Sequence, residues 1–239
     1  MIKVKHKKAV AMVELIFSIV IMSIVMMSAP MLIAQASKGS FVAIQQEAIS
    51  AAATDIAMIL TRHWDEGDTN ISLESTILIT QGDILLNEVN ITGVNIGRRA
   101  GSNQFSPRSF VNSRGQRLSA RTRANFVDGN FDDIDDYDND IHSLTSVSIS
   151  LNGDYLDRNL TFRTTVNYIS DTPTLGNYKS QNLGLSNPFN TLAPNTTSNI
   201  KMVTINVTSS SGINELQKNI TLRAFSCNIG TYRLESRTF

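Results

Sequence analysis

A single cysteine, Cys227, stands in a chain of 239 residues, which excludes an intramolecular disulfide and any site built from several thiolates. Set among apolar, strand-like residues, Cys227 reads as a buried and inert hydrophobe. Histidine is almost as scarce, three in all with His6 near the start, so few groups could act as neutral bases or imidazole ligands. Phosphate loops, His-Glu-x-x-His runs, nucleophile elbows and dinucleotide fingerprints are also missing, and an enzyme is not expected. Charge of one sign is lacking too: 21 Lys+Arg balance 21 Asp+Glu, which removes long-range attraction to nucleic acid or anionic lipid as an organising force.

That balance hides an uneven distribution. Lys3, Lys5, Lys7 and Lys8 crowd the first nine residues, and taking these four from 21 leaves 17 basic residues against 21 acidic ones. Residues 9–36 then read AVAMVELIFSIVIMSIVMMSAPMLIAQA, with Glu14 as their one charge. About 20 apolar residues at about 1.5 Å each cross a bilayer core, so this run is long enough to span, and lipid requires it to be helical. The lysines flank one side only. By the positive-inside rule they remain in the cytoplasm and the C-terminal domain crosses the inner membrane into the periplasm.

Glu14 is the anomaly, because a carboxylate in the middle of an apolar helix costs about 2.5–3.5 kcal/mol on insertion scales unless it is neutralised or paired. The segment Lys7-Lys8-Ala9 followed by Val10-Ala11-Met12-Val13-Glu14-Leu15-Ile16 resembles the processing site of type IV pilins and type II secretion pseudopilins. That resemblance implies cleavage after Ala9 by a prepilin peptidase, N-methylation of Val10, and assembly with other pilin or pseudopilin subunits. It also implies that Glu14 pairs with the Val10 ammonium of a neighbouring subunit, so that two buried charges cancel. Ala9 stands where the family usually has glycine, and Pro30 falls one residue before the family's usual proline. Ala34-Gln35-Ala36 also fits the small-x-small pattern of a secretory signal peptide, which would release a chain starting at Ser37, but the apolar run is much longer than the about 7–15 residues of such peptides.

Beyond this run, Phe41, Ile44, Ala48, Ala52, Ile56 and Ile59 recur at helical spacing, with Gln45, Gln46, Glu47 and Asp55 between them. Lys38-Gly39-Ser40 and Pro30 are expected to loosen the helix without stopping it, and Gly67 to end it. Period-two alternation follows. Strands are predicted at 72–80, 83–90, 146–151, 160–168, 201–208 and 220–225, with hairpins at Asn152-Gly153 and around Ser209 to Gly212. The expected fold class is α+β: a long N-terminal helix, membrane-spanning in its first half, packed on a C-terminal antiparallel sheet. The expected segments are a leader 1–9, an assembly helix 10–36, an amphipathic continuation 37–66 and a β-rich domain 67–239. Residues 170–198, rich in Asn, Ser, Thr, Gly and Pro, read as a long exposed loop of the kind that carries partner recognition.

One run is densely acidic, from Asp128 to Asp140. Its oxygens at Asp132, Asp133, Asp135, Asp136 and Asp138 suit calcium, although the spacing is not that of an EF-hand. Ion pairing with the upstream arginines Arg98, Arg99, Arg108, Arg114, Arg117, Arg121 and Arg123 carries more weight, since acidic runs alone rarely specify a metal. The same arginines could touch phosphates, but few aromatics interleave and the neighbouring acids cancel their field, so nucleic acid is not the expected partner. Phe131-Asp-Asp-Ile-Asp-Asp-Tyr137, with Trp64-Asp65-Glu66, is similar to segments of minor pilins resembling the D-type subunit of mannose-sensitive haemagglutinin pili. Two functions follow as expectations: a minor pilin or pseudopilin, or a secreted or anchored β-rich adhesion domain that does not polymerise.

Overall fold

Residues 7–69, 76–103, 108–126, 128–146, 158–209 and 219–230 are described in a computed structural model of the chain. They fall into two units, Met1–Ala48 and Ile49–Phe239. Among the described residues a single helix, α1 (Lys7–Ile59), makes up the first unit, and its last turns belong to the second. It runs on through Pro30 and Gly39. Residues 12–39 are all exposed, and among the described residues α1 is the one helix long and apolar enough to cross a membrane, by length and composition.

The helix stops at Ile59, earlier than Gly67 suggests. Two tight closures end it, with the Thr61 N–H donating to Met58 O at 3.1 Å and the Arg62 N–H to Ile59 O at 3.0 Å. The Thr61 hydroxyl adds a bond to the same Met58 carbonyl at 2.6 Å, competing with a further helical turn. His63 then pairs in parallel with Asp133, drawing the chain into extended form. Gly67 lies inside a 3₁₀ turn, Glu66–Asp68, capped by Asp65. A side chain there would bring Cβ to 3.1 Å from Ser119 O, so the glycine serves close packing, not helix termination.

The second unit contains a two-stranded hairpin, β1 (Glu88–Ile91) and β2 (Val94–Arg99), and a four-stranded antiparallel sheet in the order β3 (Ile141–Ser146), β4 (Arg158–Ile169), β5 (Ile200–Ser209), β6 (Asn219–Cys227). The pairs predicted from alternation at 160–168, 201–208 and 220–225 are these strands. The Asn152-Gly153 turn and most of the expected 146–151 strand lie outside the described residues, as do 72–75 and 210–212. Residues 76–80 form no strand beyond a bridge at Ile79, and 83–90 divides into a 3₁₀ turn, Ile84–Leu86, and the start of β1. The 170–198 loop is irregular apart from isolated bridges. The fold is α+β.

Register decides what the sheet buries. Phe162, Thr164, Val166 and Tyr168 of β4 lie opposite Val207, Ile205, Val203 and Lys201 of β5, and all eight are buried. Burying a Val, Ile or Phe side chain here contributes about 1.5–3 kcal/mol. Ala52, Ile56 and Ile59 at the end of α1 are buried as well, and Asp55 reaches His142 of β3 at 3.0 Å, whose ring stacks on Phe162. Cys227 ends edge strand β6 in an exposed position, contrary to the buried site expected. In that strand alternate residues face out, and the odd-numbered set includes it.

Asn228 ties the sheet to the segment before β1. Its Oδ1 accepts from the Leu78 N–H at 2.9 Å and its Nδ2 donates to Leu78 O at 2.7 Å. Asn228 and Leu78 are 1 % and 0 % exposed. Replacing Asn228 by alanine strands both Leu78 backbone groups away from water, and a buried unpaired group costs about 1–3 kcal/mol. Thermal unfolding of the detergent-solubilised chain should show Asn228→Ala about 2–4 kcal/mol less stable than wild type; a loss below about 1 kcal/mol would remove this tie.

Candidate functional site

Two features of the chain have chemistry that packing alone does not explain. The first is the apolar stretch of α1. Its hydroxyls are satisfied locally: Ser18 donates to Glu14 O at 2.8 Å, Ser23 to Ile19 O at 2.7 Å and Ser28 to Val25 O at 3.0 Å. Such back-bonding is what an apolar medium requires of hydroxyls. The carboxylate of Glu14 has no hydrogen-bond partner among the described residues. Ala9 and Val10 both fall in the first turn of α1, where backbone N–H groups have no helical acceptor and the helix opens most easily.

The second feature lies where the turn after α1 meets the acidic run. Strand alternation delivers Lys201 to the buried face with Val203, Ile205 and Val207, and Lys201 is 0 % exposed. Its Nζ donates to Trp64 O at 2.7 Å, Asp65 Oδ2 at 2.9 Å and Asp135 Oδ2 at 2.7 Å. It also sits 4.0 Å from the Trp64 ring centroid and 5.1 Å from those of Phe126 and Tyr168, an arrangement that stabilises a desolvated cation. Burial pushes the ammonium down, but Asp135 and Asp65 outweigh it and hold the pKa above its ordinary value. For Asp135 burial works in the opposite direction, raising its pKa well above the ordinary one. With three acceptors focused on Nζ and the ammonium so favoured, the charged pair is the state we assign.

Of the two buried acids, Asp65 has the more hydrogen-bond donors. It accepts from the N–H groups of Gly67 and Arg121 and from the Tyr168 hydroxyl at 3.2 Å. Burial, and then the carboxylates of Asp65 and Asp135, push the Tyr168 phenol far up, so it remains a neutral donor.

The structure distributes the acids of the run among different tasks. Asp136 accepts from the N–H groups of Asp128, Asp132 and Asp133 and so closes the loop. Asp138 is clasped by Arg123 at 3.0 and 3.1 Å and accepts from the Val166 N–H at 2.9 Å, which accords with the ion-paired reading. Arg117 instead grips Glu88 at 2.8 Å. Asp132 and Asp133 converge with Glu66, so of the five aspartates expected at a cation Asp135, Asp136 and Asp138 are engaged elsewhere. Burial, reinforced by Asp136 and opposed by Lys201, pushes Asp133 up to about 7. Glu66 is also raised, first by burial.

No family model, curated protein or solved structure matches this chain. Sequence reasoning overlooked Lys201, and it marked Asp65 and Glu66 only through a resemblance, without the contacts they make here. For Lys201 a signal exists, since it falls in phase with the apolar residues of its strand.

Proposed function

We propose that this chain is a minor type IV pilin or pseudopilin, a structural subunit taken into a pilus or secretion pseudopilus after its leader is removed. The observation that carries the reading is Glu14: one carboxylate in a fully exposed, otherwise apolar helical stretch, one turn beyond Val10 and just past the Lys7-Lys8-Ala9 boundary. A prepilin peptidase cleaving after Ala9 frees the Val10 ammonium. In the inner membrane that cation and the Glu14 carboxylate of an adjoining subunit answer each other, so an acid that penalises the lone subunit favours docking. The β-rich domain then lies in the periplasm and, after extraction, along the fibre.

Mass spectrometry of the native polypeptide tests this. The expected N-terminus is N-methylated Val10. A chain beginning at Met1 removes the assembly reading, and one beginning at Ser37 supports the non-polymerising adhesion domain instead.

A further inference from the structure

Glu66, Asp132 and Asp133 each offer a carboxylate oxygen, and these oxygens lie within 4.8 Å of one another. The backbone brings them together. His63 pairs in parallel with Asp133, and the Ile134 N–H donates to His63 O at 2.9 Å, which carries the Glu66–Asp68 turn over the acidic run. In two of the three acids one oxygen is already engaged or faced. Asp133 Oδ1 accepts from the N–H groups of Asp135 and Asp136, and Glu66 Oε1 faces Arg121 at 3.6 Å. The second oxygens, Asp133 Oδ2 and Glu66 Oε2, are buried and accept from no described donor. Asp133 is 0 % exposed and Glu66 9 %. Two buried acceptors without donors, beside a third carboxylate open to solvent, is what a site for a cation looks like before it binds one.

We propose that Glu66, Asp132 and Asp133 bind a calcium ion that fastens the turn after α1 to the acidic run. The donors are all hard oxygens, with no thiolate or imidazole in the set, which disfavours zinc and the later transition metals. Three carboxylates exceed the one or two that magnesium ordinarily takes, whereas calcium accepts 6–8 oxygens at about 2.3–2.6 Å in irregular geometry and completes its shell with water. Exposed Asp132 leaves the water-facing side and the route of access. The charge of Lys201 is felt at Asp133, but Lys201 gives the site no hydrogen bond, because its three donors are directed to Trp64, Asp65 and Asp135. The inference is independent of fibre assembly, and its test needs only the purified chain.

The full-length protein, solubilised in detergent and stripped with EDTA, is titrated with terbium(III) chloride while its one tryptophan, Trp64, is excited, and separately with calcium chloride during thermal unfolding. Wild type should give Trp64-sensitised terbium luminescence that calcium displaces. About 1 mM calcium should raise the melting temperature by at least about 5 °C over EDTA, and magnesium by less. Asp132→Asn, whose side chain is exposed, should melt as wild type in EDTA yet bind calcium at least about tenfold more weakly, and adding Glu66→Gln should abolish the effect. Wild type without luminescence or a calcium-dependent shift overturns the proposal, as does wild-type affinity in the double variant; an equal shift with magnesium overturns the choice of calcium.

Discussion

Lys201→Met is expected to lower the stability of the β-rich unit by about 3–5 kcal/mol, the usual cost of breaking a buried ion pair from one side. For a unit of this size that is a fall in melting temperature of about 6–20 °C. The loss falls unevenly on the two acids. Asp65 keeps the N–H groups of Gly67 and Arg121 and the Tyr168 hydroxyl. Asp135 keeps nothing at its carboxylate, because Oδ2 accepts from Lys201 and Oδ1 is buried without a partner. Asp135→Leu in the same chain should therefore recover at least half of the lost stability, by removing the stranded charge. Lys201→Arg should not rescue, since three acceptors and three rings converge on a point-like ammonium and a planar guanidinium does not match them. Thermal unfolding of the detergent-solubilised variants provides the numbers. If Lys201→Met melts within about 2 °C of wild type, the cluster contributes no net stability; if the double variant is worse than the single, Asp135 is not the acid left stranded.

What the sequence disclosed depended on how local the cause was. The apolar length of α1 was legible because membrane compatibility is a property of composition, and β4, β5 and β6 because period-two alternation states which face each residue takes. The hairpin of β1 and β2 was not legible. Its turn uses Thr92 and Gly93, both at positive φ, and threonine there gives none of the Asn-Gly or Asp-Gly signal that marks such turns. The end of α1 was also hidden, since it depends on the Thr61 hydroxyl and on a bridge from His63 to the distant Asp133. The acidic run shows the same division. Its density was plain, and Arg123 with Asp138 fell within the ion-paired expectation. That Asp135 turns to Lys201 and that Asp132 and Asp133 meet Glu66 depend on contacts between segments far apart in the chain, which spacing alone does not encode.

Glu14→Ala is expected to leave cleavage and membrane insertion intact while depleting the protein from fibres by about 60- to 300-fold relative to the membrane pool. That factor is the about 2.5–3.5 kcal/mol penalty of an acid at the centre of an apolar helix, converted at about 1.4 kcal/mol per decade. On the proposed function, the penalty in the wild type falls on the lone subunit and is relieved on docking against a Val10 ammonium. Alanine removes both the penalty and its relief, so the free subunit becomes more comfortable in lipid and the docked one gains nothing in exchange. Unlike an unfolding lesion, this leaves the β-rich domain untouched, because residues 12–39 are exposed and none belongs to its core. The measurement compares sheared fibres with washed membranes by quantitative immunoblot, after mass spectrometry has verified that the variant begins at Val10. Wild-type partitioning by a correctly processed Glu14→Ala chain would show that helix packing alone drives assembly and that the acid has another purpose. Depletion from fibres with processing preserved leaves the charge pair as the cause, since beyond that carboxylate the variant loses only one methylene of its stem, worth about 0.8 kcal/mol.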